Sequence, residues 1–517
     1  SSVTGVQTCA LPIFLCGHRA FQAHRNDCPP RHPQARVWTL WTGASISVMR
    51  RMYPAPTAEM SVAELYDGVV RTPVEPGSIK SQLPVGPPSD PEPFAEILRD
   101  FDAILEPGLC HWQHPQFFGY FPSNAPLASV LGDYLSTGLG VLGLSWQSSP
   151  ALTELEEVTL DCVRQMVGLS AAWQGVIQDT ASTSTLVALI CARERASNYA
   201  FSHGGLQSIR EPLVVYVSEQ SHSSVEKGCL LAGFGRQSIR RIGCDHRYAM
   251  RPDLLEQAIC NDVANGCKPC AVVATCGTTA TTAFDPLDAI ARIARERQLW
   301  MHVDAAMAGS AMILPDCRTL WDGIEDADSL VINAHKWLGA VFDCSLYYVR
   351  DVQHLVRVMS TSPSYLQTTA DGQVKNYRDW GIPLGRRFRA LKLWCLLRAE
   401  GVAGLQARIR RDLENARWLE QQIRSTPNWN IVAPVQLQTV CFRHEPSQLQ
   451  SEALDRHTLS WVERVNNSGV AYLTPAMLDG RWISVTPRGR MLVRNVCMVF
   501  DRYLRHAHTL ERFSRVI

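Results

Sequence analysis

The sequence predicts an α/β fold built on a mainly parallel β-sheet. Between residues 212 and 350, short apolar runs rich in β-branched residues alternate with longer segments of helical periodicity. This alternation is typical of βα units, in which helices cover both faces of a parallel sheet. The predicted strands are Leu213–Val217, Ser238–Ile242, Ala271–Thr275, Leu299–Val303, Ser329–Asn333 and Cys344–Val349.

The length of the chain and the positions of its Pro-rich and helical stretches predict several structural segments. The first, residues 1–50, does not resemble the rest, and part of it reads like a translated sequencing adapter, so we expect a non-native or disordered extension. Residues 51–126 hold two short helical patterns and Pro-rich stretches with too little core of their own, which predicts an arm that packs on another surface. Residues 127–390 form the large domain with the sheet, and residues 391–517 form a smaller α+β C-terminal domain.

The composition excludes several classes of partner. Fifty Lys+Arg residues against 49 Asp+Glu leave a net charge of +1, which gives no basic excess for nucleic acid or for a membrane surface. The cysteines are scattered singly through apolar runs, which favours reduced thiols and a cytoplasmic location. Cys267-Lys-Pro-Cys270 is an isolated pair, and the Cys and His residues between 16 and 32 fit no closed zinc pattern, so we expect no metal site.

Four of the predicted strands are followed by loops that contain polar residues with useful chemistry. These residues are Ser221-His222-Ser223-Ser224, Gly277-Thr278-Thr279, Asp304 and Lys336. Because ligands of open α/β sheets bind at the carboxyl ends of the strands, these residues predict one site at that edge.

The lysine and the aspartate suggest a particular chemistry. Lys336 lies in Asn333-Ala334-His335-Lys336-Trp337, just after a strand, and Asp304 ends the preceding strand. An aldehyde cofactor bound as a Schiff base needs such a lysine, and its pyridine nitrogen needs a nearby acid. On this stretch alone, a surface lysine and a strand-end aspartate of an ordinary α/β protein remain an equally good explanation.

Two further segments have both a functional and a structural explanation. Residues 180–185 are small hydroxyl residues and an alanine before a helix, which suits either a phosphate cradle or ordinary N-capping. Residues 112–121 contain five aromatic side chains, which suit either the pocket of an aromatic substrate or core packing.

Taken together and in this order, the motifs resemble those of the group II pyridoxal-phosphate-dependent decarboxylases, most closely the aromatic-L-amino-acid decarboxylases of the bacterial DOPA-decarboxylase type. The likeness runs from about residue 72 to at least residue 480, with Ala334 where the family has proline. It implies the aspartate-aminotransferase-like fold type I: a mainly parallel seven-stranded sheet in a large pyridoxal 5′-phosphate-binding domain, a small α+β C-terminal domain and an N-terminal helical arm that packs on the partner of a homodimer.

The resemblance also implies roles for individual residues. Lys336 would form the Schiff base, Asp304 would pair with the ring nitrogen, and His222 would stack on the ring. The other implied cofactor contacts are Ala181, Ser182, Thr279, Ala306, Ser329, Asn333 and His335. The implied substrate pocket comprises Trp112, Tyr120, Phe121, Pro122, Ser123, Leu144 and Gly385. Tyr365 matches the mobile-loop tyrosine, the expected proton donor.

The implied activity is decarboxylation of an aromatic L-amino acid (L-DOPA, tryptophan, 5-hydroxytryptophan, tyrosine or phenylalanine) to the arylalkylamine and CO2. Aromatic aldehyde synthases of the same family typically carry phenylalanine where this chain has Tyr365, or asparagine where it has His222, so an aldehyde synthase is disfavoured. Decarboxylation of glutamate or histidine, the reaction of a fold type I aminotransferase and an inactive homologue are weaker hypotheses. Ser123, Leu144 and Gly385 differ from residues of animal or plant relatives and leave the substrate preference open.

Overall fold

The computed structural model describes residues 70–121, 124–361, 370 and 372–486. The predicted extension over residues 1–50 and the last part of the predicted C-terminal domain lie outside these residues.

A seven-stranded sheet in the order β1-β7-β6-β5-β4-β2-β3 forms the centre of the molecule. Strands β2 to β6 run parallel to their neighbours in that group, and β7 is antiparallel to both β6 and β1. Every residue of β2, β5, β6 and β7 is buried, because helices cover both faces. The mainly parallel seven-stranded sheet is thus confirmed. The strands are β1 (Gln174–Gln178), β2 (Leu213–Ser218), β3 (Ile239–Ile242), β4 (Lys268–Thr275), β5 (Trp300–Asp304), β6 (Ser329–Asn333) and β7 (Ser345–Val349).

The helices around this sheet bury one apolar stripe each. Leu287–Glu296, for example, buries Leu287, Ile290 and Ile293, which fall on one face at helical spacing. The α-helices of the arm and the large domain are Phe94–Asp100, Leu127–Leu139, Pro150–Met166, Ala181–Ala196, Ala200–Gly204, Ser223–Leu231, Pro252–Ala264, Leu287–Glu296 and Val352–Met359. None of the helices within the described ranges is long and apolar enough to cross a membrane.

A second, four-stranded antiparallel sheet in the order β10-β11-β9-β8 forms the smaller C-terminal unit. The long helix Arg389–Ser425 leads into it and bends at Gly401, where φ is +63°. Phe118, from the aromatic segment of the arm, is buried in its core with Trp429, Phe442 and Trp461. The remaining elements are β8 (Trp429–Ile431), β9 (Val440–His444), the helix Ser451–Asn467, β10 (Thr474–Leu478) and β11 (Arg481–Thr486).

Candidate active site

Lys336 lies in a tight turn at the carboxyl end of β6. Residues Ala334–Leu338 form one π-helical turn, and Lys336 itself has non-helical angles (φ −93°, ψ −114°). Two side chains hold the carbonyl groups of this turn. The amide of Asn124 donates to the carbonyl oxygens of His335 (3.1 Å) and Lys336, and the guanidinium of Arg408 donates to those of Trp337 (3.2 Å) and Leu338. The lysine therefore projects from a fixed backbone.

Asp304 ends the neighbouring strand β5 and is only 6% exposed. Its Oδ1 accepts a hydrogen bond from the amide of Ala306 (3.1 Å). Within the part of the chain that the structure describes, no cation lies within ion-pair distance of this carboxylate, although its charge acts on Lys336 and on His222. A buried carboxylate in this state fits a cationic ligand group.

The electrostatics of the site follow from burial and from these charges. Burial lowers the pKa of Lys336 below its usual 10.5, while the negative charge of Asp304 opposes that shift. Burial also lowers the pKa of His222, again opposed by Asp304 and reinforced by Lys336. His335 is buried, and its pKa falls to about 4, first because of burial and then because of the charge of Lys336. At neutral pH both imidazoles are therefore uncharged.

His222 begins the helix Ser223–Leu231 at the end of the loop after β2. Its Nδ1 accepts a hydrogen bond from the amide of Ser224 (3.2 Å) and lies 2.7 Å from the hydroxyl of that serine. Since Nδ1 is an acceptor, the proton of the neutral ring lies on Nε2. The helix terminus thus fixes both the position and the tautomer of this ring.

A third group of residues forms a candidate anion site. The helix Ala181–Ala196 starts at this edge, and no side chain caps its first turn. The hydroxyl of Ser184 lies 3.1 Å from that of Ser345, and Ser345 pairs with Asn333 across β6 and β7. The predicted residues Ala181 and Ser182 are therefore close to Asn333. The buried amide oxygen of Asn333 has no hydrogen-bond partner among the described residues, so it can accept a hydrogen bond from a ligand but supplies no donor to an anion.

Ser329, however, is not brought to this place. It lies at the opposite end of β6, about 13 Å from Asn333 at 3.3 Å per residue. There its hydroxyl lies 2.8 Å from Nδ1 of His302 and accepts a hydrogen bond from Nε1 of Trp300 (2.9 Å). The expectation that Ser329 surrounds a phosphate is thus corrected, because both ends of one strand cannot reach one sheet edge.

A cleft of about 370 Å³ opens at this edge, between the large-domain loops and the hairpin of β10 and β11. Lys336 is next to it, since its Nζ lies 5.2 Å from the ring centroid of the cleft residue Phe121. Trp112 is not among the lining residues, but its ring stacks on that of Tyr120, with centroids 5.6 Å apart. The lining includes the predicted residues Tyr120, Phe121, His222 and Thr279, together with Glu219, Thr474, Pro475 and Ala476.

The rest of the predicted pocket residues have different placements. Leu144 and Gly385 do not line this cleft within the described ranges. They lie in two segments joined by a hydrogen bond from the amide of Gly143 to the carbonyl of Arg386 (2.8 Å), and Gly385 faces Leu142. Pro122, Ser123 and Tyr365 lie outside the described residues, so their roles remain predictions.

Comparison with known proteins identifies the family. The family model described as the pyridoxal-dependent decarboxylase conserved domain matches residues 76–445. The chain belongs to this family. It is 41% identical over 425 residues to phenylacetaldehyde synthase of Arabidopsis thaliana (80% of this chain, 86% of the relative). It is 40% identical over 439 residues to aromatic-L-amino-acid decarboxylase of Bos taurus (82% and 88%).

The solved structures agree with this membership. The crystal structure of Oryza sativa TDC with PLP and tryptamine superimposes with a TM-score of 0.84 at 33% identity, covering 93% of this chain and 99% of that one. The predictions of fold type I, of pyridoxal phosphate as the cofactor and of a decarboxylase are confirmed. The residues present fit the cofactor: an amine on a fixed turn, a buried carboxylate without a described counter-ion, and an uncapped helix start whose free N–H groups suit a phosphate.

Sequence reasoning missed several residues that shape this site. Asn124 holds the lysine turn, Arg408 caps the same turn from the long helix, and Tyr472 and Thr474 of the C-terminal unit contact Tyr120. Their contacts are to backbone atoms or to rings at least 70 positions away in the sequence, which no local pattern reveals.

Proposed function

We propose that this protein decarboxylates aromatic L-amino acids to the arylalkylamine and CO2. The observation that supports this most directly is the aromatic wall of the cleft beside Lys336. Phe121 approaches the lysine, and Tyr120 stacks on Trp112, so one side of the cleft offers flat apolar rings. Such a surface favours an aromatic side chain through ring stacking and burial of apolar area. Relatives named as tryptophan and tyrosine decarboxylases are consistent with it.

Each residue of the site has a role that follows from its surroundings. Pyridoxal phosphate, when bound, supplies the electron sink that accepts the electron pair released as CO2 leaves. Because burial lowers the pKa of Lys336, more of its side chain is the neutral, nucleophilic amine at neutral pH. Asp304 supplies the negative charge that keeps a ring nitrogen protonated, and the neutral ring of His222 supplies a flat surface next to it.

The phosphate group would be held at the start of the helix Ala181–Ala196. Free N–H groups and the positive end of the helix dipole favour an anion there, and the hydroxyl of Ser182 adds a donor. Asn333 and His335 flank this place from the end of β6. The proposed role of Tyr365 as proton donor to the α-carbon rests on the family resemblance alone.

The relatives and the lining of the cleft bear on two competing activities. An aldehyde synthase is suggested because phenylacetaldehyde synthase is among the relatives, but Tyr365 and His222 are residues of the decarboxylase type. A decarboxylase of acidic substrates is disfavoured because the acidic residue Glu219 is among those that line the cleft and would repel a second negative charge. We also propose a cytoplasmic location, supported by free thiols on the described cysteines.

We further propose a two-fold homodimer. Helix Leu127–Leu139 exposes Leu127, Leu131, Leu135 and Leu139, which follow one another at four-residue spacing along one face. A continuous apolar face of this kind favours a protein partner over water. Leu142 continues the face and contacts the Gly385 position, so the segments with Leu144 and Gly385 would reach the site of the second subunit.

The test is a product assay on the protein reconstituted with pyridoxal phosphate. L-DOPA, L-tryptophan, L-phenylalanine and L-glutamate would be supplied separately, while CO2, amine, aldehyde and peroxide are followed together. Amine and CO2 in equal amounts from an aromatic substrate are expected, with Lys336→Ala as the inactive control. Aldehyde and peroxide as the main products, or turnover of glutamate alone, would refute the proposal.

A further inference from the structure

Tyr472 belongs to the C-terminal unit but packs into the aromatic wall of the cleft. It comes two residues before β10, and its ring lies parallel to that of Phe117, with centroids 5.2 Å apart and planes 6° apart. The ring centroid of Tyr120 lies 6.1 Å from that of Tyr472. Backbone hydrogen bonds from Phe118 to the carbonyl of Tyr472 (2.8 Å), and from Tyr472 to the carbonyl of Gln116 (3.1 Å), fix this arrangement.

Tyr120 depends on these contacts for its position. Its backbone is in the left-handed region (φ +49°), which non-glycine residues adopt only where the surrounding structure holds them. Its amide donates to the hydroxyl of Thr474 (2.8 Å), and its side chain is half exposed along the cleft. Tyr120 is thus a substrate-facing ring whose conformation is set by residues more than 350 positions later in the chain.

Two details show how closely Tyr472 is fitted. Burial raises the pKa of Tyr472 to about 12, so its phenol stays protonated at neutral pH. A Cβ atom on Gly119 would lie 2.5 Å from the Tyr472 ring, so only glycine allows this approach. The ring of Tyr120 thus contacts both Trp112 and Tyr472, each of which also contacts Phe117.

We propose that Tyr472 is a positioning residue that sets the orientation of Tyr120 and thereby the selectivity of the cleft among aromatic amino acids. This inference rests on the proposed function, because it assigns the Tyr120 ring to the substrate side chain. A wall contact of this kind acts on the bound substrate and on the transition state alike, so it changes KM more than kcat.

The experiment compares Tyr472→Phe, Tyr472→Leu and a matched control in the reconstituted full-length enzyme. Tyr472→Phe keeps the stacked ring and loses only the hydroxyl, so the fold is retained. We expect KM and kcat for the best aromatic substrate to stay within about twofold of the unmodified enzyme, because the ring that contacts Tyr120 is kept. Tyr472→Leu also removes the ring, and we expect the kcat/KM ratio between tryptophan and phenylalanine to change about tenfold.

The control is Tyr248→Phe. The hydroxyl of Tyr248 donates to Asp479 (2.8 Å) and ties the large domain to the same C-terminal unit through a contact that involves none of the rings of the aromatic wall. If the role of Tyr472 were purely structural, Tyr472→Leu and Tyr248→Phe would both lose thermal stability, and neither would change KM or the ranking of substrates. That result, or a fall in kcat without a change in KM, would overturn the inference. Absence of aromatic turnover by the unmodified enzyme would instead overturn the proposed function, and this inference with it.

Discussion

The buried ion pair between Glu156 and Arg386 gives the sharpest stability prediction. Their side chains are 0% and 5% exposed, and the carboxylate receives both terminal nitrogens of the guanidinium at 2.6 and 3.0 Å. The same carboxylate accepts the amide of Ile177 (2.8 Å), while Arg386 donates to the carbonyl of Ile177 (2.7 Å). Glu156 thereby joins β1 to the segment that carries Gly385.

Glu156→Gln should be strongly destabilising because it leaves the charge of Arg386 buried without a counter-charge. Removing one partner of a buried pair costs about 3–5 kcal/mol. The entropy of unfolding is about 2.1 cal/mol/K per residue, or about 1 kcal/mol/K for 517 residues. The expected fall in Tm is therefore about 3–5 °C.

The assay is thermal unfolding at saturating pyridoxal phosphate, since a change in cofactor occupancy would itself shift Tm. The control is Glu420→Gln, which removes the carboxylate of a partly exposed helical pair with Arg424 (2.7 Å) and should lower Tm by less than about 1 °C. Equal shifts for the two variants would show that Arg386 finds water or another partner and would refute the reasoning. Replacing both Glu156 and Arg386 by methionine should recover only part of the loss, because both backbone groups of Ile177 lose a partner.

Three further predictions concern pH, assembly and the lysine turn. Burial lowers the pKa of His302 from 6.5 to about 4. Stability should therefore be full above pH 6.5 and fall by up to about 3 kcal/mol towards pH 4, as the unfolded chain takes up a proton that the folded one does not; His302→Gln should flatten this fall in Tm against pH. Leu135→Glu should shift the proposed dimer to monomer in sedimentation, and an unchanged mass would contradict the proposed interface. Asn124→Asp places a carboxylate against the carbonyl oxygens of His335 and Lys336 and should lower kcat at least tenfold at unchanged circular dichroism; full activity would show that the turn holds without this amide.

The central sheet could be predicted because its strands are continuous apolar runs between helical segments. Strand β1 (Gln174–Gln178) could not be predicted, because it is short and has a glycine at its second position. A polar turn also follows it directly. The hairpin of β10 and β11 also escapes prediction, although Asp479-Gly480 joins the paired residues Leu478 and Arg481 with positive φ at both central positions. An Asp-Gly pair is a strong signal for a two-residue hairpin, but Pro475 in β10 argues against a strand.

Site residues could be predicted where the type of side chain itself indicates a chemical role. Lys336, Asp304 and His222 are titratable groups at strand ends, and the fold brings those ends together at one edge. Ser329 shows the limit of this reasoning, because it is only four positions from Asn333 and yet lies at the opposite edge of the sheet. Residue type and proximity in sequence do not distinguish the two ends of a strand unless its direction is used as well.

Positioning residues escape sequence reasoning for a different physical reason. Asn124 acts through its amide on backbone carbonyls 211 and 212 positions away, and any polar side chain of similar size looks the same in a sequence. Tyr472 acts through a ring that stacks on Phe117 and lies tilted against Tyr120, and the sequence offers several other aromatic residues for that wall. The residues that carry the chemistry of this site can therefore be recognised from their type in the sequence. The residues that fix its geometry can be recognised only in the folded structure. Variation among relatives at Asn124 and Tyr472 should then change rate and selectivity while the reaction itself is retained.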